Sequence, residues 1–246
     1  MNKIAAVSYI NTYPFIYGIE QSGIFNPHEF SLNKIYPSLC SRAFHNKEAE
    51  VVLMPSGAIS DFDESITIPG YCIGATQNVR SVMLFSQVPI ENIKTILLDY
   101  QSTTSIKLLK ILFHYFWKKE VTFIATQSDF EQEINGNTAG LIIGDRALYL
   151  ENKFLFKTDL AQAWVAFTNL PFVFAYWVKT SPIDHQWLKK FIDSLKWGVE
   201  HKKESLVQYT NFNQALYEYL NFNISFHFDE KKIEGLKAFY QLAKKI

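Results

Sequence analysis

An apolar run that stops on polar residues and reopens as a helix within a few positions is the tightest constraint this chain places on its own fold. Ile4 to Val7 reads as a buried strand, Ser8, Asn11 and Thr12 supply side-chain donors, and Pro14 suits the first turn of a helix reaching Glu20. A strand that feeds straight into a helix belongs to an α/β sheet, and open α/β sheets bind small anions at the carboxyl ends of such strands. Asn11 and Thr12 equally suit plain capping of that helix, and spacing alone does not separate the two roles.

The same punctuation recurs along the chain. Val51 to Met54 is a buried strand halted by Pro55-Ser56-Gly57, where Ser56 is either a turn former or a second cleft residue. Thr95 to Asp99 runs through a short loop into a helix from about Thr104 to Trp117, on which His114 is expected in a packing role. Ser102, Thr103, Thr104 and Ser105 are four consecutive hydroxyl residues at that helix start. With the free backbone N–H groups there they suit either a carboxylate or ordinary capping. Strand Gly140 to Gly144 ends on Asp145, which fits a ligand contact, a general base, an ion-pair partner or a helix cap.

Two further extended stretches, Val79 to Ser86 and Leu170 to Val178, stand between the sheet-forming regions. Strand alternation in the first places Ser81 with Val79 and Met83, and Arg80 with Val82 and Leu84. A serine on the apolar side needs a partner, either a neighbouring backbone group or a ligand. Two sheet regions joined by two crossings predict two lobes, residues 1–86 with 178–246 and residues 87–177, around a central cleft floored by the crossings. The carboxyl-terminal part reads as helices, one opened by Ser181-Pro182 and the last capped by Asp229.

Composition narrows the partners. Lys plus Arg and Asp plus Glu are 24 each in 246 residues, so no net field favours nucleic acid or an anionic membrane. Aromatic residues make up 16%, suited to bulky cores and flat-walled pockets. Cys40 and Cys72 are the only cysteines, expected as small buried residues, and the histidines lack metal-type spacing. No signal-peptide pattern or membrane-length apolar run is present, which predicts a soluble, cytoplasmic protein.

Four segments, in order, resemble one family: Val7-Ser8-Tyr9-Ile10-Asn11-Thr12 with Pro14; Pro69-Gly70 leading to Val79-x-Ser81-Val82-x-Leu84-x-Ser86-x-x-Pro89; Leu98-Asp99-x-x-Ser102-x-Thr104-Ser105; and Ile143-Gly144-Asp145-x-Ala147-Leu148 with Leu170-Pro171-Phe172-Val173-Phe174-Ala175-x-Trp177. Together they look like the chorismate dehydratases, the menaquinone biosynthesis protein A family of the futalosine pathway. The resemblance implies a type II periplasmic-binding-protein-like fold used as a hydro-lyase. Chorismate would lose water to give 3-(1-carboxyvinyloxy)benzoate, without a metal or organic cofactor. It places Asn11 and Ser81 at the reacting ring and Ser56, Ser102, Thr104 and Ser105 on a carboxylate. Ser8, Thr12, Thr103 and Asp145 complete the expected substrate-binding set. The base is either the substrate's own enolpyruvyl carboxylate or Asp145. Asn169 departs from the glycine usual before Leu-Pro-Phe, which bears on a turn. A non-catalytic carboxylate binder of the same fold and the related dihydroxynaphthoate synthase are the competing readings.

Overall fold

The opening apolar run forms β1 (Asn2–Val7), and the computed structural model, which describes residues 1–150 and 152–246, builds outward from it. The other strands are β2 (Phe30–Ile35), β3 (Val51–Pro55), β4 (Thr67–Ala75), β5 (Val82–Ser86), β6 (Thr95–Leu98), β7 (Thr122–Ala125), β8 (Thr138–Ile143), β9 (Phe156–Asp159), β10 (Phe172–Lys179) and β11 (Ser225–Phe228). They form two sheets, one ordered β11-β4-β10-β3-β1-β2 and the other β7-β6-β8-β5-β9. In each sheet a parallel set carries an antiparallel strand beside it. β1 runs parallel to β2 and β3, with β10 antiparallel to β3 and β4. Likewise β6 runs parallel to β7 and β8, with β5 antiparallel to β8 and β9.

The helices are α1 (Tyr13–Gln21), α2 (Pro37–His45), α3 (Thr103–Ile111), α4 (Asp145–Leu150), α5 (Leu160–Thr168), α6 (His185–Glu200), α7 (Lys202–Tyr209), α8 (Gln214–Glu218) and α9 (Glu230–Ala243). Pro14 lies in the first turn of α1 as expected, because its missing N–H is one that turn leaves unpaired anyway. Asp229 caps α9 through Lys232 N–H. α6 begins later than Ser181-Pro182 suggested, with Asp184 accepting from Trp187 N–H. His114 is exposed, so the packing role expected for it is not realised. Both cysteines are free and buried. No helix among the described residues is long and apolar enough to cross a membrane.

The two stretches expected as crossings are sheet strands. β5 lies inside the second sheet and β10 inside the first, so the boundaries at 86 and 178 fall one strand later than the changes of sheet. The chain passes between sheets in residues 76–81 and again in residues 169–171. At the return passage Asn169 has φ 58° and donates its N–H to Val165 O at 2.8 Å, closing α5. Only glycine and, at modest cost, asparagine take that left-handed conformation readily, so the departure from glycine leaves the turn unchanged.

Candidate active site between the two sheets

Carboxyl ends of strands from both sheets converge on one cleft. Val7 from β1, Leu53 and Pro55 from β3, and Ile143 with Gly144 at the end of β8 line a space of about 540 Å³, its open mouth included. Asn11, Thr12, Ser81, Ser102, Thr104 and Ser105 line it as well, so six of the ten expected site residues come together there. Ser8 and Thr103 are exposed and lie outside the lining. Ser56 and Asp145 also lie outside it, although each neighbours a residue that matters to the cleft. The lining side chains are all neutral, so hydrogen-bond donors and backbone dipoles supply its polarity.

The hydroxyl cluster at α3 divides its labour. Ser102 Oγ accepts Ser105 N–H at 3.1 Å and donates to Ser105 Oγ at 2.8 Å, which makes Ser102 the cap. Ser105 keeps its own hydroxyl proton for the cleft. Thr104 Oγ1 accepts Gly57 N–H at 2.9 Å from the opposite sheet's side. Ser56, expected on a carboxylate, instead donates to Val173 O at 2.7 Å and ties β3 to β10. At the opening helix the capping role is unused: Thr12 makes no side-chain cap bond and its hydroxyl donates to Asn11 Oδ1 at 3.1 Å.

Hydrogen bonds lock the two sides together. Besides Gly57 to Thr104, Tyr9 hydroxyl donates to Gln101 Oε1 at 2.6 Å, and Ile10 N–H donates to Asp145 Oδ1 at 3.2 Å. Gly144, with φ 66°, sits against the Tyr9 ring, where a Cβ would be 3.2 Å from ring carbons. Beneath this seam Asp99 is fully buried, accepts Gln101 N–H at 2.9 Å and Ile143 N–H at 3.1 Å, and pairs with Arg146. Burial raises the Asp99 carboxyl, with Arg146 opposing it. Asp99 thereby fixes the loop that presents Gln101 and Ser102.

Ser81 is presented by a strained turn and not by strand alternation. β5 starts at Val82, Arg80 has φ 60°, and Ser81 N–H donates to Val79 O at 2.8 Å. A positive-φ turn of this kind is rare and costs on the order of 1–3 kcal/mol. Buried Asp159 holds it, Oδ2 accepting Val79 N–H at 2.8 Å and Arg80 N–H at 2.7 Å while Oδ1 caps α5. Ser81 Oγ accepts from Tyr219 hydroxyl at 2.8 Å. Tyr9, Gln101, Gly57, Asp99, Asp159 and Tyr219 were not read as site residues in the sequence. Tyr9 and Asp99 stood within the motifs of the family resemblance, and Gly57 beside Ser56 at a strand end.

Burial raises the Asp145 carboxyl to about 6, against the Ile10 N–H, which lowers it. A raised folded-state value stabilises fully below the ordinary carboxylate range and is lost as pH rises through about 6. Asp145→Asn can still accept from Ile10, so the variant is expected to gain melting temperature relative to the parent between about pH 4 and pH 7. Thermal melts of both proteins across that range check this, and a constant difference would refute it.

A sequence model of the family described as menaquinone biosynthesis matches residues 2–245. The chain is 23% identical to a chorismate dehydratase of Thermus thermophilus, covering 94% of this chain and 91% of that protein. Among solved structures, a protein of Archaeoglobus fulgidus superposes with a TM-score of 0.74 at 14% identity, covering 99% of this chain and 97% of that one. A Candida albicans protein described as having the generic periplasmic binding protein fold gives 0.66 at 10% identity, covering 100% and 90%. The periplasmic aliphatic sulphonate binding protein of Escherichia coli gives 0.62 at 11% identity, covering 99% and 90%. The fold is that of the periplasmic binding proteins, as the family resemblance implied.

Proposed function

The chain belongs to the menaquinone biosynthesis family, and from that membership we propose that it is a chorismate dehydratase acting in the futalosine pathway. The observation that carries the reading is the pairing of Asn11 and Ser81 in one neutral cleft with the hydroxyl-lined start of α3. A dicarboxylate fits such a cleft because the amino ends of α1 and α3 approach it from opposite sheets, each favouring negative charge.

In the reaction, the ring carbon bearing the enolpyruvyl ether loses its proton. The electron pair enters the ring, the hydroxyl on the next carbon leaves and takes up a proton, and the products are 3-(1-carboxyvinyloxy)benzoate and water. Aromatisation makes the step downhill, so the protein's task is proton handling and charge placement. The departing ring proton is acidic through conjugation to the ring carboxylate. Ser105 hydroxyl and the free N–H groups at the start of α3 suit the charge that builds there. Asn11 and Ser81 suit the departing hydroxyl, one orienting it and the other donating to it. With neutral groups lining the cleft, the substrate's enolpyruvyl carboxylate serves as base. The test is to mix the protein with chorismate and follow the aromatic product by absorbance and mass. Stoichiometric binding without product would refute the dehydratase and leave a carboxylate-binding protein, a reading favoured by neighbours of this fold that bind anions.

A further inference from the structure

Tyr219 stands outside the cleft lining, yet its phenol donates to Ser81, one of the two residues assigned to the departing hydroxyl. It comes from a wide turn that follows α8, where Ile224 N–H donates to Tyr219 O at 3.2 Å. Such turns hold one residue more than an α-helical turn and occur disproportionately at functional sites. Asn223 in the same turn donates from its side chain to Asn78 O at 3.3 Å, which fixes the turn against the strained segment carrying Ser81. The phenol and the serine are thus held in register by contacts on both sides.

Donor and acceptor roles follow from what each group already does. Thr12 hydroxyl occupies Asn11 Oδ1, which leaves the Asn11 amide N–H groups to donate. The Asn11 side chain lies near enough to the Tyr219 phenol to lower its proton affinity. That phenol is only 1% exposed and donates to Ser81 Oγ at 2.8 Å. Burial keeps the Tyr219 proton far above the ordinary phenol range, so the group is a donor and never a base. Ser81, with one lone pair occupied from behind, retains its own O–H, and its Oγ faces the cleft. The order is Tyr219 phenol to Ser81 hydroxyl to cleft, the first donor strengthening the second.

We propose that Tyr219 is a positioning residue of the dehydration, holding the Ser81 hydroxyl so that its proton points into the cleft at the departing hydroxyl. This rests on the dehydratase reading. Tyr219 touches neither substrate nor reacting atoms and acts through Ser81. A serine hydroxyl is a free rotor, and unpinned it spends its proton on whichever acceptor is nearest. A phenol O–H stays near its ring plane, and this ring is packed rigid, so the direction it imposes is fixed.

Steady-state turnover of chorismate by the full chain, with Tyr219→Phe, Ser81→Ala and the double variant, tests the assignment. Tyr219→Phe keeps the ring and removes only its oxygen. It is expected to lower kcat by about 10- to 100-fold with KM within about 3-fold. The double variant is expected to match Ser81→Ala, because the phenol has nothing to direct once the serine is gone. A purely structural role predicts instead losses that multiply in the double variant, and that result would overturn the assignment. So would a Tyr219→Phe kcat within about twofold of the parent. A parent protein that makes no product overturns the dehydratase reading itself, an outcome distinct from an active parent with an indifferent Tyr219→Phe.

Discussion

Gly57→Ala is expected to lower kcat/KM for chorismate by roughly 100-fold or more, the scale of loss that follows from misplacing catalytic groups by about 1 Å. A Cβ at position 57 would stand 2.5 Å from Thr104 Cα, 2.7 Å from Thr104 N and 2.9 Å from Thr103 C. These are backbone atoms at the start of a helix, so no side-chain rotation relieves the clash. Relief comes only by moving α3 away from the end of β3, which breaks the Gly57 to Thr104 hydrogen bond and separates the two sides of the cleft. The strand pairing within each sheet does not depend on this contact, so the effect falls on the site more than on folding. Kinetics, together with small-angle scattering of the ligand-bound protein, measure both consequences. A variant with the parent's kcat/KM and the same radius would show that the contact has no part in assembling the site.

Asn11→Ala is expected to reduce kcat by about 100- to 1,000-fold, whereas Asp145→Asn stays within about threefold of the parent. Asn11 lines the cleft, and with its Oδ1 taken by the Thr12 hydroxyl its amide N–H groups are left to donate. Asp145 lies behind Gly144, outside the lining, with one oxygen on Ile10 N–H. Its raised carboxyl value makes it attractive as a base, but geometry outweighs proton affinity, because a base must reach the proton it takes. Single-turnover measurements on both variants decide between the substrate carboxylate and Asp145. Loss at Asp145 with retention at Asn11 would reverse the assignment.

The elements were legible because apolar runs of four to eight residues ended on Pro, Gly or hydroxyl residues, and local chemistry fixes such ends. Which sheet a strand joins was not legible. β10 slots between β3 and β4, pairing Tyr176 with both Met54 and Cys72, and nothing in its apolar sequence distinguishes that position from a bridge between lobes. Ser81 lay on a motif, yet its presentation did not show, because Arg80 takes a left-handed conformation with no glycine to announce it. Asp159 caps α5, but its second oxygen serves a turn eighty residues away. Tyr219 sits 138 positions from Ser81 in a stretch without any motif, so only the folded contact reveals it.

The order of strands in the first sheet also sets a clock. β4 hydrogen-bonds to β10 on one side and β11 on the other, and both are made long after it. β5 through β9 are contiguous in the chain and complete their sheet without help from either end. At roughly 5–20 residues per second on the ribosome, β4 waits about 5–20 s for β10, while the middle of the chain already has every strand partner it needs. With this strand order β3 and β4 stay unjoined until β10, which pairs with both, has been made.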